Sequence, residues 1–194
     1  MNLVMKRFII ERLNSDYLNL TTYRDVFSEG FKKKSEDSIS FITKMVGKYG
    51  DEAIDFYSDE YAEVEGTKLL FYKLCIIALY MDIEMCLKEV AVYLFNAEKK
   101  TMYRFDDIKR SFEMKGITIA GIVDYNIINE LRELNNCIKH NGYVSEKLAT
   151  INKSWVKDTE IKANEKHIDY FEKGLSNFKL DLHSKLHEYL CNSI

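Results

Sequence analysis

The chain has 194 residues, 46% of them hydrophobic, and a net charge of −3. That length and apolar content suffice to bury a core in one domain with an N-terminal extension, and the lack of proline with few glycines favours long unbroken helices. Four cysteines, Cys75, Cys86, Cys137 and Cys191, have neither paired metal-ligand spacing nor the density of a secreted disulfide framework, which points to free thiols in a reducing cytoplasm.

In chain order, a short helix is predicted over 2–13, with Val4, Phe8 and Ile9 on one side and Asn14-Ser15-Asp16 as its break. Lys6 and Arg7 interrupt the opening apolar residues before a signal-peptide core can form, so a cytoplasmic location is expected. A second helix is predicted over 16–29. After Lys32-Lys33-Lys34, Ser35 is placed to cap a third, carrying Ile39, Ile42 and Val46 to Gly50. Residues 1–50 are therefore assigned to an N-terminal helical extension and 51–194 to the main helical bundle.

Residues 51 to about 64 continue as an acidic amphipathic helix with Ile54, Tyr57 and Tyr61. Between 51 and 65 the acids Asp51, Glu52, Asp55, Asp59, Glu60, Glu63 and Glu65 are unbroken by any lysine or arginine, which leaves the rest of the chain net positive. Thr67 to about Glu98 is the dominant helix, too apolar to face water on any broad side, and Leu74 and Ile77 are expected in its buried centre. The longest apolar run, Leu74 to Met81, stops at Asp82, far short of the roughly 20 residues needed to cross a bilayer, so no membrane span is expected. Asp82 and Glu84 lie two apart in this helix and so face different sides; a carboxylate buried there is costly unless paired.

Lys99, Lys100, Arg104, Lys109, Arg110 and Lys115 form a basic segment able to follow a phosphate backbone, although Glu98, Asp106, Asp107 and Glu113 intervene and a solvated face explains it equally. A helix near 105–114 and a short connection lead to a helix over about 122–140. Residues 143–162 are the least regular part, with Trp155 packing a loop onto the bundle. The last helix, about 163–191, carries Ile168, Phe171, Leu175, Phe178, Leu182, Leu186 and Tyr189 at steps of three or four. His183 and His187 are four apart there, but with no carboxylate nearby beyond Glu188 they are taken as surface residues. No metal or other cofactor is expected.

The helix over 122–140 is the most informative. Ile127, Leu131, Leu134 and Ile138 fall at steps of four, three and four and build a core-facing stripe. Asn129, Arg132 or Glu133, Asn136 and His140 form the opposite line. Asn141-Gly142 stops the helix beside His140, in a last turn that favours a protonated imidazole.

With its late-helix arginine, polar residue and histidine, its acidic approach Asp59-Glu60-Tyr61-Ala62-Glu63, and the order of these segments from about Asp55 through Ser145, the chain resembles the HEPN domains. The resemblance implies an all-α bundle, HEPN-like, in which a histidine handles protons and an arginine stabilises phosphate charge during metal-independent RNA cleavage. By position, the family arginine falls on Asn135, which offers hydrogen bonds but no charge. Arg132, one turn earlier, and Lys139, next to His140, are the candidate substitutes, and Glu84 takes the place of a family glutamate that orients the motif residues. Candidate site residues are therefore His140, Arg132, Asn136, Asn135 and Lys139, supported by Glu84. Imidazole chemistry near neutrality and a cation aimed at developing phosphate charge give these roles their physical basis.

Two functions follow. One is a HEPN-type RNA-binding or RNA-cleaving effector, of the toxin or anti-phage kind, acting on single-stranded RNA as a homodimer. The other is a catalytically silent HEPN module that holds a protein partner or small ligand.

Overall fold

The computed structural model describes residues 10–11, 20–50 and 52–192. The predicted first helix lies outside the described residues except at Ile10 and Glu11, which are helical. The fold is all-α, with no strand among the described residues. After Ile10 and Glu11, the described residues form six α-helices: α1 (Leu20–Tyr49), α2 (Glu52–Glu89), α3 (Phe105–Glu113), α4 (Tyr125–His140), α5 (Glu146–Ile151) and α6 (Glu165–Asn192).

Two predicted breaks are absent. Helix α1 runs through Lys32-Lys33-Lys34, because lysine is a good helix former, and Ser35 sits inside the helix instead of capping it. Its hydroxyl is buried and donates to Glu65 Oε1 at 3.1 Å, one of the acids of the run at 51–65. Helix α2 likewise passes Gly66 and fuses the acidic and apolar segments into 38 residues. The break at Gly50 is real, with φ +76°.

The chain forms two compact units, each with its own packing. Residues 18–75 with 162–164 make one, where Phe27, Phe31 and Phe71 meet ring to ring and Val64 and Tyr72 are buried. Residues 1–17, 76–161 and 165–194 make the other, which holds α3 to α6 and the C-terminal half of α2.

The burial of α2 corrects one expectation. Tyr72, Cys75, Ile76, Leu79, Tyr80, Ile83, Cys86, Leu87 and Val90 recur at steps of one, three or four and are buried, forming one stripe. Leu74, expected at the buried centre, is 54% exposed, and Leu70, Met81 and Met85 are exposed with it, while Ile77 is half-buried. From Leu69 on, apolar residues stand on more than one side of the helix, and those on the side of Leu70, Leu74, Met81 and Met85 are exposed.

At its end α2 widens into a π turn, Val90–Leu94, closed by a bond from the Phe95 N–H to the Val90 carbonyl at 3.2 Å. The turn aims Phe95 edge-on at both Phe112 of α3 (4.9 Å between ring centres) and Tyr189 of α6 (5.3 Å). Asp82, placed by sequence in a costly position, is paired: Lys179 of α6 reaches its Oδ2 at 2.6 Å, with both side chains largely buried.

Helix α4 is clamped by α6. Asn177 Nδ2 donates to Asp124 Oδ2 at 2.8 Å, and Asp181 Oδ2 accepts from the Val123 N–H at 2.9 Å, which fixes the entrance to α4. Closest approach is at Gly174, where a Cβ would lie 2.5 Å from Ile127 Cγ2 and 3.0 Å from its Cβ. Isoleucine is stiff at χ1 in a helix and those atoms stand next to the backbone, so they cannot swing aside. Gly174→Ala should therefore destabilise the fold by about 1 to 3 kcal/mol despite alanine's better helix propensity. Urea unfolding of the single variant and of Gly174→Ala with Ile127→Ala checks this, since the second change should recover part of the loss.

Candidate functional site

Helix α4 carries every motif residue, and its faces are unequal. Of the predicted stripe, Leu131 and Leu134 are buried while Ile127 and Ile138 are half-buried; Ile128 and Cys137 are buried beside them, and so are Glu130, Glu133 and Asn135. The polar line is the less covered side: Asn129 and Arg132 are half-buried, and Asn136, Lys139 and His140 are exposed. His140 is the last helical residue. The stop belongs to Gly142 alone, which has φ +76° and donates from its N–H to the Cys137 carbonyl at 2.9 Å. Asn141 is not left-handed; its side-chain oxygen instead accepts from the Tyr143 N–H at 3.0 Å.

The candidate residues thus separate. Asn136, Lys139 and His140 share open surface at the C-terminal end of α4. Arg132, two turns back, is held elsewhere: its Nε and Nη2 donate to Glu133 Oε1 at 3.2 and 2.9 Å, and its guanidinium lies over the Phe105 ring at 4.8 Å. Lys147 Nζ, from α5, reaches the same oxygen at 2.7 Å. With rise alone setting the spacing, Arg132 and His140 are about 12 Å apart along the helix. Asn135 is 1% exposed, and its Oδ1 is buried with no hydrogen-bond partner, so it faces the interior and not the surface where RNA would lie.

Glu84 is half-buried, with its carboxylate 3.5 Å from the Tyr80 hydroxyl and 3.5 Å from Lys88 Nζ. Burial foremost, then the Glu84 charge, drives the Tyr80 phenol well above the usual tyrosine range, and Arg132 opposes that rise. The polar contacts of Glu84 go to Tyr80 and Lys88, both on its own helix.

Sequence reasoning missed the best-connected polar group on α4. Glu130 is 4% exposed. Its Oε1 accepts from Asn152 Nδ2 at 2.9 Å and Trp155 Nε1 at 2.8 Å, and its Oε2 accepts from the Tyr170 hydroxyl at 3.1 Å. Burial and then the Glu130 charge push the Tyr170 phenol up to about 12. His167 stacks on Trp155 at 4.9 Å, and burial lowers its pKa against the pull of Glu130. The sequence-level signal was Trp155, whose indole N–H needs an acceptor once buried.

The expectation that His183 and His187 lack a carboxylate beyond Glu188 fails. Glu11 Oε1 lies 3.6 Å from His183 Nε2 and 3.3 Å from His187 Nε2. A partner so distant in the chain cannot be found from helix spacing.

Compared with protein-family models, curated proteins and solved structures, the chain matches none of them.

Glu130→Ala should cost about 3 kcal/mol or more, because it strands the buried Trp155 donor and the half-buried Asn152 donor and also frees Tyr170, and Glu130→Gln should cost much less. Thermal unfolding of both variants measures the difference. His167 gives a pH prediction. Its folded pKa lies below the ordinary 6.5, so the unfolded chain takes up a proton that the folded chain resists. The stability it contributes is complete above pH 6.5 and declines as pH falls through that value. His167→Phe, which keeps a ring against Trp155, should flatten the decline in denaturation measured between pH 7 and pH 5.

Proposed function

We propose that this chain is a catalytically silent HEPN-like module that acts by binding, assembled as a homodimer. What carries the reading is the fate of the motif cation. At the position that resemblance assigns to arginine, Asn135 is uncharged and buried, and the nearest alternative, Arg132, is tied to Glu133 and stacked on Phe105. To meet a phosphate beside His140, Arg132 would have to give up both its bonds to a largely buried carboxylate, which would be left to Lys147 alone, and its place over the Phe105 ring, and weakening a buried ion cluster is expensive. His140 keeps an imidazole on open surface, with Lys139 beside it, but lacks a preorganised cation of the kind that lowers a phosphoryl-transfer barrier.

A binding role also fits the uncovered side of α2. Met81, Met85 and Tyr93 are all exposed, Met85 and Tyr93 line one groove, and exposed apolar surface of this kind is what partner contacts cover. The homodimer supplies such a contact by symmetry.

One observation favours a second reading, the capture of single-stranded RNA. A groove of about 510 Å³ beside the π turn is lined by Met85, Val92, Tyr93 and Tyr103, and its charged wall holds Lys88, Lys99 and Lys100 with one acid, Glu89. Tyr103 is 78% exposed, and exposed aromatics beside lysines suit stacked bases with a phosphate backbone alongside.

Purified protein incubated with mixed RNA in the absence of metal should leave it intact, and Asn135→Arg should not create cleavage. That substitution buries a charge and should instead destabilise the fold by about 3 kcal/mol or more. Cleavage by the wild type that His140→Ala abolishes would overturn the silent reading. Fluorescence anisotropy with a labelled single strand separates the two binding readings. Affinity that falls on Tyr103→Ala and weakens steeply with salt selects RNA.

A further inference from the structure

Glu11, His183 and His187 bring three metal-binding side chains to one point on the unit that carries α4. We propose that they form a site for a borderline-soft divalent transition metal, zinc foremost, which ties the N-terminal segment to α6. This does not depend on the functional reading above.

The geometry is specific. His183 and His187 are four residues apart, which sets both imidazoles on one face of α6, and their ring centres are 4.6 Å apart. Both present Nε2 to the same oxygen, at 3.6 and 3.3 Å, and the three donor atoms all lie within 4.8 Å of one another. Tetrahedral zinc with bonds of about 2.0 to 2.1 Å holds neighbouring donors about 3.3 to 3.4 Å apart, so two of the separations already stand near those of a common ion.

A second observation points to a ligand there. His183 Nε2 is buried and has no hydrogen-bond partner, and its 3.6 Å distance to Glu11 is too long for one. A metal bound between them satisfies that nitrogen. On the other side of the site, Ile10 is fully buried and anchors the backbone next to Glu11.

Two imidazoles and one carboxylate match zinc and its neighbours, whereas calcium and magnesium prefer all-oxygen cages. Three protein ligands leave a fourth position for water. Because Glu11 is separated from the histidines by nearly the whole chain, an ion bound to the folded state alone would stabilise it by linkage.

The test is a calorimetric titration of untagged full-length protein with zinc chloride, with cobalt as a spectroscopic probe. The expected result is about one zinc per chain, a raised unfolding temperature, and the intense visible bands of four-coordinate cobalt. Glu11→Gln, His183→Ala and His187→Ala should each weaken binding by roughly tenfold or more. Cys191→Ser, one turn beyond His187 and outside the trio, should leave it unchanged. Glu11 is exposed, so its variant reports on the site even if a histidine variant fails to fold. Absence of saturable zinc binding overturns the proposal. So does binding that survives Glu11→Gln at full strength, or that is lost in Cys191→Ser.

Discussion

The position of α4 depends on a single buried anion. The Glu130 carboxylate draws no cation in its hydrogen bonding; it is held by three neutral donors, one from the residue after α5, one from the loop beyond it, and one from α6. Desolvating a carboxylate is expensive, and the cost falls only when its oxygens are satisfied with good geometry. Each donor must therefore be in place for the others to be worth having, which makes the loop at 152–155 and the start of α6 cooperative with the middle of α4. The close passage of Gly174 over Ile127 adds a steric condition to this polar one, and both act on the same pair of helices.

Much of this was legible from residue spacing. Of the two stripes set by steps of three and four, Leu131, Leu134, Ile168, Phe171, Leu175, Phe178, Leu182 and Leu186 are buried, while Ile127, Ile138 and Tyr189 are half-buried. Trp155 was placed against the bundle and is. The misreadings share a physical cause. Periodicity records which residues can face a core, not whether anything covers them, so Leu74 read as buried and is exposed. Ser35 read as a cap because local signals outrank distant ones on paper, while its real partner, Glu65, lies a helix away. Glu133 is expected on the polar line and Asn135 among the site residues, yet both are buried, and so is Glu130. Their burial rests on contacts with Trp155, Lys147 and a core that no local pattern shows.

The candidate site follows the same division. The line Asn129, Arg132, Asn136 and His140 does occupy the less covered side of α4, as helical geometry requires. What spacing could not supply is the competition for each group. Arg132 is adjacent in sequence to Glu133, a relation that rarely brings side chains together on a helix. Here Lys147 and Phe105 complete a cluster around the pair, so the guanidinium is directed along the protein and not out from it. A motif recognised from letters alone counts an arginine as available; the folded chain decides whether it is.

The π turn at 90–94 has a consequence of another kind. Adding or removing a residue within an ordinary helix rotates everything beyond it by about 100°. A π turn already contains one residue more than an α-helical turn requires, so losing one there lets the helix close normally with its flanks unmoved. The contact of Phe95 with Phe112 and Tyr189 thus tolerates a change of chain length just upstream that it would not survive elsewhere in α2. Length variation, ordinarily confined to loops, has one permitted address inside the longest helix of this fold.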